Sequence, residues 1–115
     1  MTTKSRVVKL ASKDLSLEDG ALALLRAVDS NVRVFTSDGE TPEALADFEQ
    51  AVRLLRMMED RRYIEAISSI NVVPAAAGGS RVDRVRLSGG LTDKGRAVLA
   101  YYDGEAHGYL NTQIA

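Results

Sequence analysis

The sequence predicts an α+β domain in which helix, short strand, long helix, β-hairpin and helix follow one another. Three observations predict it. Apolar residues recur at helical spacing in three separate segments. Residues 81–87 alternate, with Val85 and Leu87 on one face and Arg84 and Arg86 on the other, as one arm of a half-buried hairpin does. Glycine, proline and short polar clusters fall mainly at the joints between these stretches.

Residues 1–15 are polar and basic, with Val7, Val8 and Leu10 in short apolar alternation, and are expected to form an N-terminal arm or an edge strand. Ser16 has the chemistry of an N-cap, with Glu18 and Asp19 in the first turn where the helix dipole favours anions. Leu17, Ala21, Leu24, Leu25 and Val28 make the stripe of an amphipathic helix, ended by Asp29-Ser30-Asn31. Val32 to Phe35 is β-branched and aromatic enough for one short strand, and Thr36-Ser37-Asp38-Gly39 is a turn.

Thr41-Pro42 opens the longest helix, residues 42–60, with a hydroxyl at the cap and a proline at the first helical position. Leu45, Phe48, Val52 and Leu55 mark its buried face, widened by Ala51 and Met58. Residues 63–73 carry Ile64, Ile67, Ile70, Val72 and Val73 at strand-like density, and residues 74–80 (PAAAGGS) form a loose tip. Val85 and Leu87 then oppose Arg84 and Arg86 on the returning strand. Gly89-Gly90 ends it, and Thr92 caps a last helix striped by Leu91, Gly95, Val98, Leu99 and Tyr102. A glycine on that stripe costs about 1 kcal/mol against alanine, which close approach of a neighbouring element would offset. Residues 16–104 thus form the domain and residues 105–115 a tail without clear period.

At 115 residues the chain is one domain's length, and 45% hydrophobic with 27% charged residues is a globular balance. No apolar run approaches the roughly 18 residues that span a bilayer, and no apolar segment follows the basic N-terminus as a signal peptide requires. A cytoplasmic protein that does not engage a membrane is expected. With no cysteine and one histidine, His107 in a glycine-flanked tail, a dedicated zinc or iron site is not expected, nor any cofactor. Gly78-Gly79-Ser80-Arg81 lacks the lysine of a phosphate loop. The carboxylates are scattered, so no catalytic residues are assigned and a non-enzymatic protein is expected.

The segments FEQAVRLLRMMEDRRYI and LSGGLTDKGRAVLAYY, either side of the hairpin, resemble winged-helix domains. There a helix ending near a "GyI"-like step enters the wing, here Arg62-Tyr63-Ile64. A "LTxKGxxxL" segment opens the helix after it, here Leu91 through Leu99. The likeness is to small phage-related YjcQ-type winged-helix proteins, over half to three-quarters of the chain. It implies a three-helix fold with a hairpin wing in the C-terminal half and a helix beyond the wing, in a regulatory or DNA-associated role. Two features depart from it. The long helix has no internal turn, and its start carries Glu43, Asp47 and Glu49 where a major-groove reader presents neutral or basic groups.

Net charge is −1, so phosphate binding must rest on a local patch. The candidates are Arg53, Arg56, Arg61 and Arg62 on the long helix and just beyond it, with Arg81, Arg84 and Arg86 on the wing. The arginine fork suits phosphate and guanine. The competing reading is a solvated surface neutralised by Glu59, Asp60, Glu65 and Asp83. Lys4, Arg6, Lys9 and Lys13 in the arm could add phosphate contacts, although a disordered solubilising tail explains them better. Met57 and Tyr101, beside the clean stripes, are candidate interface residues for a homodimer or another protein. Two functions stay open. One is a DNA-binding transcription regulator contacting duplex phosphates. The other is a protein–protein interaction module, such as a phage or mobile-element adaptor or inhibitor.

Overall fold

The computed structural model describes residues 10–104, apart from the side chain of Lys13. Its elements are a 3-10 turn (Ser12–Leu15), α1 (Ala21–Asp29), β1 (Val34–Thr36), α2 (Pro42–Asp60), β2 (Ile67–Pro74), β3 (Ser80–Leu87) and α3 (Asp93–Gly104). The described residues are therefore α+β, with three α-helices and one antiparallel sheet of order β1-β3-β2. His107 and most of the basic arm lie outside the described residues. None of the described helices is long and apolar enough to cross a membrane.

The first helix starts later than its sequence suggests. Ser16 does not cap it; residues 12–15 wind into the 3-10 turn and α1 begins only at Ala21. The joint is Gly20, held at φ +91°, a left-handed conformation that a side chain resists. A Cβ there would also stand 3.4 Å from Leu54 of α2, so the two helices meet closely at this point. At its other end α1 stops in a Schellman turn. Asn31, at φ +81°, donates to the Val28 carbonyl, and the Val32 N–H reaches back to Ala27.

In α2 the Thr41 hydroxyl accepts from the Ala44 N–H at 3.1 Å, and Pro42 occupies the first turn. Its core residues are Phe48, Val52, Leu54, Leu55 and Met58. Leu45 is only half-buried, and Leu54, outside the expected stripe, is buried instead. The reason is that α2 is covered on two sides, by α1 as well as by the sheet. A second Schellman turn ends it: Arg62 at φ +66° donates to Glu59, and the Tyr63 N–H reaches Met58 at 2.8 Å. Tyr63 and Met58, both buried, supply the apolar contact that accompanies this motif.

On the sheet, Phe35, Val85 and Ile70 stand across from one another, and Ile67 faces Leu87. Val85 and Leu87 join Phe48, Val52 and Leu55 in the core, so the helices cover that face. Near the tip the register slips by one residue at Asp83, pairing Val72 with Val82 but Asn71 with Arg84. The bulge turns Val82 inward, where it packs against the core. Gly78 and Gly79, both at positive φ, close the tip.

Candidate nucleic-acid interface

Two polar constructions adjoin α2, one just beyond its end and one along its length. The first is a packed knot just past its C-terminus. Tyr63 is fully buried, and its hydroxyl donates to Oδ1 of Asp14, itself 0% exposed. The other Asp14 oxygen accepts from the Ala11 N–H at 2.8 Å and lies 3.6 Å from Nζ of Lys94. That ammonium also sits 5.4 Å above the Tyr63 ring, a cation–π arrangement. Burial, reinforced by Asp14, pushes the Tyr63 phenol up to about 12, against the opposing pull of the Arg61 guanidinium.

The knot also fixes α3. The Thr92 hydroxyl donates to the Arg62 carbonyl and accepts from the Gly95 N–H at 3.0 Å, while the Thr92 N–H donates to the Tyr63 carbonyl. Gly95 passes so near that a Cβ would stand 1.9 Å from the Tyr63 carbonyl oxygen. This is the close approach expected for a glycine on that stripe.

The second construction is an open groove of about 760 Å³ between α2 and the hairpin tip. Leu45, Ala46, Glu49, Gln50, Arg53 and Arg56 line it from the helix, at the three- and four-residue spacings of a single face. Ala75, Gly78, Ser80, Arg81 and Val82 line it from the hairpin. Arg53, Arg56 and Arg81 therefore share one cleft, with Glu49 among them. The other candidates go elsewhere. Arg61 is half-buried beside Tyr63, and Arg62 is exposed at the end of α2. Arg84 and Arg86 alternate with buried Val85 and Leu87, so they project from the sheet face away from the helices.

Two of the carboxylates expected to neutralise these arginines are hydrogen-bonded to other groups. Glu59 accepts from the Ile67 N–H, and Asp83 from the Asn71 amide. Among the described residues the ion pairs are Arg26–Asp103, Lys94–Asp14 and Arg96–Asp93. No described residue pairs with or hydrogen-bonds the side chain of Arg53, Arg56, Arg81, Arg84 or Arg86. No group of three or more potential metal-binding side chains occurs among the described residues.

Of the two interface candidates, Met57 is half-buried and packs against the core. Tyr101, also half-buried, meets Tyr102 edge-on at 5.3 Å, and the Tyr102 hydroxyl accepts from the Leu17 N–H. Asp14, Lys94 and Gln50 were not singled out from sequence. Gln50 follows Ala46 and precedes Arg53 at helical spacing, so a helical wheel drawn through Arg53 and Arg56 finds it. Asp14 carries no comparable signal.

Comparison with protein-family models, with curated proteins and with solved structures gives no match.

Proposed function

We propose that this is a winged-helix-like, non-enzymatic nucleic-acid-binding domain that grips a phosphate backbone in the groove between α2 and the hairpin. The observation that carries the reading is the meeting of Arg53, Arg56 and Arg81 in one cleft, where Glu49 is the one acidic lining residue and forms no ion pair with them. Guanidinium groups on two rigid elements can each donate paired hydrogen bonds to a phosphate. An open channel suits an extended polyanion better than a small molecule, which needs most of its surface enclosed. The element order α1-β1-α2-β2-β3 and the sheet order β1-β3-β2 support the winged-helix comparison, with the hairpin as wing.

The contacts proposed are to backbone rather than to base edges. The unbroken α2 and Glu43, Asp47 and Glu49 in its first half make it a poor major-groove reader. Binding should accordingly be tolerant of sequence and steep in salt. Three phosphate contacts give a log–log slope of roughly −2 to −3. Titration of short duplexes at low and moderate ionic strength, with wild type and R53E/R56E/R81E, tests this. The triple variant should keep its melting temperature and lose affinity by about tenfold or more. Absence of wild-type binding at low salt, or equal affinity in the variant, would overturn the reading and favour a protein partner.

A further inference from the structure

We infer that the outer face of the sheet is a second, separate phosphate-binding surface, and that the domain holds two nucleic-acid segments at once. The inference rests on the nucleic-acid reading of the groove but uses different residues. Arg84 and Arg86 stand two residues apart on β3, hence roughly 7 Å along one strand. β3 is the central strand, paired on both sides, so their bases are held rigidly.

Their cross-strand neighbours are short. Thr36 and Asn71 flank Arg84, and Val34 and Ser69 flank Arg86. The result is a polar platform from which two guanidinium groups rise, both exposed and neither paired with a described carboxylate. Asp83, the nearest acid in sequence, is engaged by the Asn71 amide at 2.6 Å.

Charge and composition choose the occupant. A protein partner seeks aromatic or large apolar anchors at the centre of an interface. This platform offers Val34, 38% exposed, and otherwise hydroxyls, an amide and two arginines, with the single Asp83 carboxylate held beside Asn71. A polyphosphate chain needs only the hydroxyls, the amide and the arginines. Alternation with Val85 and Leu87 aims Arg84 and Arg86 away from α2, which carries Arg53 and Arg56, so a second segment rather than the one against α2 is assigned to them.

The test uses the full chain, one duplex immobilised on beads and a second, fluorescent duplex in solution at low salt. Wild type should bring the fluorescent duplex to the beads. R84E/R86E should still bind a single duplex, within about twofold, while capture of the second falls about tenfold or more. R53E/R56E/R81E should lose single-duplex affinity as well. Capture undiminished in R84E/R86E overturns the inference, as does wild type that binds one duplex and captures no second. Sedimentation of the free protein identifies bridging by a dimer, which would survive R84E/R86E and count as the first of these results. Polyglutamate retained through Arg84 and Arg86 without second-duplex capture also overturns it, reassigning the face to an acidic protein. Failure of wild type to bind any duplex removes the groove reading itself, and this inference with it.

Discussion

The knot beyond α2 and the groove along it use charge in opposite ways. In the knot, Asp14 is buried and takes a phenol, a backbone N–H and an ammonium as partners, and nothing larger than a hydrogen fits between Gly95 and the Tyr63 carbonyl. In the groove, three arginines line an open cleft with no described partner. Unpaired buried charge is costly, so the knot must be complete to exist. Exposed arginines cost little, so the groove can leave its charges for something else. The contrast teaches where substitutions should damage the fold and where they should alter only binding.

The largest effect should come from Gly95→Ala. The added methyl meets a backbone carbonyl that is held at once by Thr92 and by the Schellman turn, so neither side can retreat cheaply. Destabilisation beyond about 4 kcal/mol is expected, outside the usual range for single substitutions. Chemical denaturation measures it. A loss under about 1 kcal/mol would mean that α3 slides freely on the knot, and the contrast between the two regions would weaken.

Tyr63→Phe should come next, at about 2–3 kcal/mol, because the buried Asp14 loses a hydrogen bond to its charged form. The same residue has a pH signature. A phenol near 10 in the unfolded chain and about 12 in the folded one stays protonated longer when folded. Its contribution is fully present below pH 10 and is lost as pH rises towards about 12, with a total of roughly 2–3 kcal/mol. Denaturation curves from pH 8 to 12 should fall in wild type and show a shallower fall in Tyr63→Phe. Equal slopes would show that the hydroxyl is not the group that titrates.

How much of this was legible in the sequence follows from distance along the chain. Caps and stripes depend on neighbours within a turn or two, which is why Thr41, Thr92 and the core of α3 could be placed. The face reversal between Arg84/Arg86 and Val85/Leu87 was equally readable from alternation. Local chemistry misled at Ser16, where a good capping residue precedes a glycine whose left-handed backbone delays the helix to Ala21. The knot joins residues 49 positions apart, and no local pattern marks Asp14 as Tyr63's partner. The groove likewise depends on a tertiary meeting of α2 with the hairpin tip. From sequence the seven arginines could be imagined as one surface. The fold divides them among the groove, the knot, the end of α2 and the outer sheet face.

Arg62 lies on the border between the two regions and gives the smallest effect and the sharpest discrimination. Its backbone belongs to the knot, since it occupies the left-handed position of the Schellman turn and its carbonyl accepts from Thr92. Its side chain is exposed. Left-handed backbone costs a non-glycine residue about 1–2 kcal/mol, and glycine would return part of that to the unfolded chain as entropy. Arg62→Gly should therefore stabilise the domain by roughly 0.5–1 kcal/mol. Paired titrations then decide what the arginine is for. Unchanged duplex affinity in the more stable variant would confine binding to the groove and the outer sheet face. A drop of about twofold or more, with the fold strengthened, would mean that backbone strain is tolerated here to hold a guanidinium at the ligand.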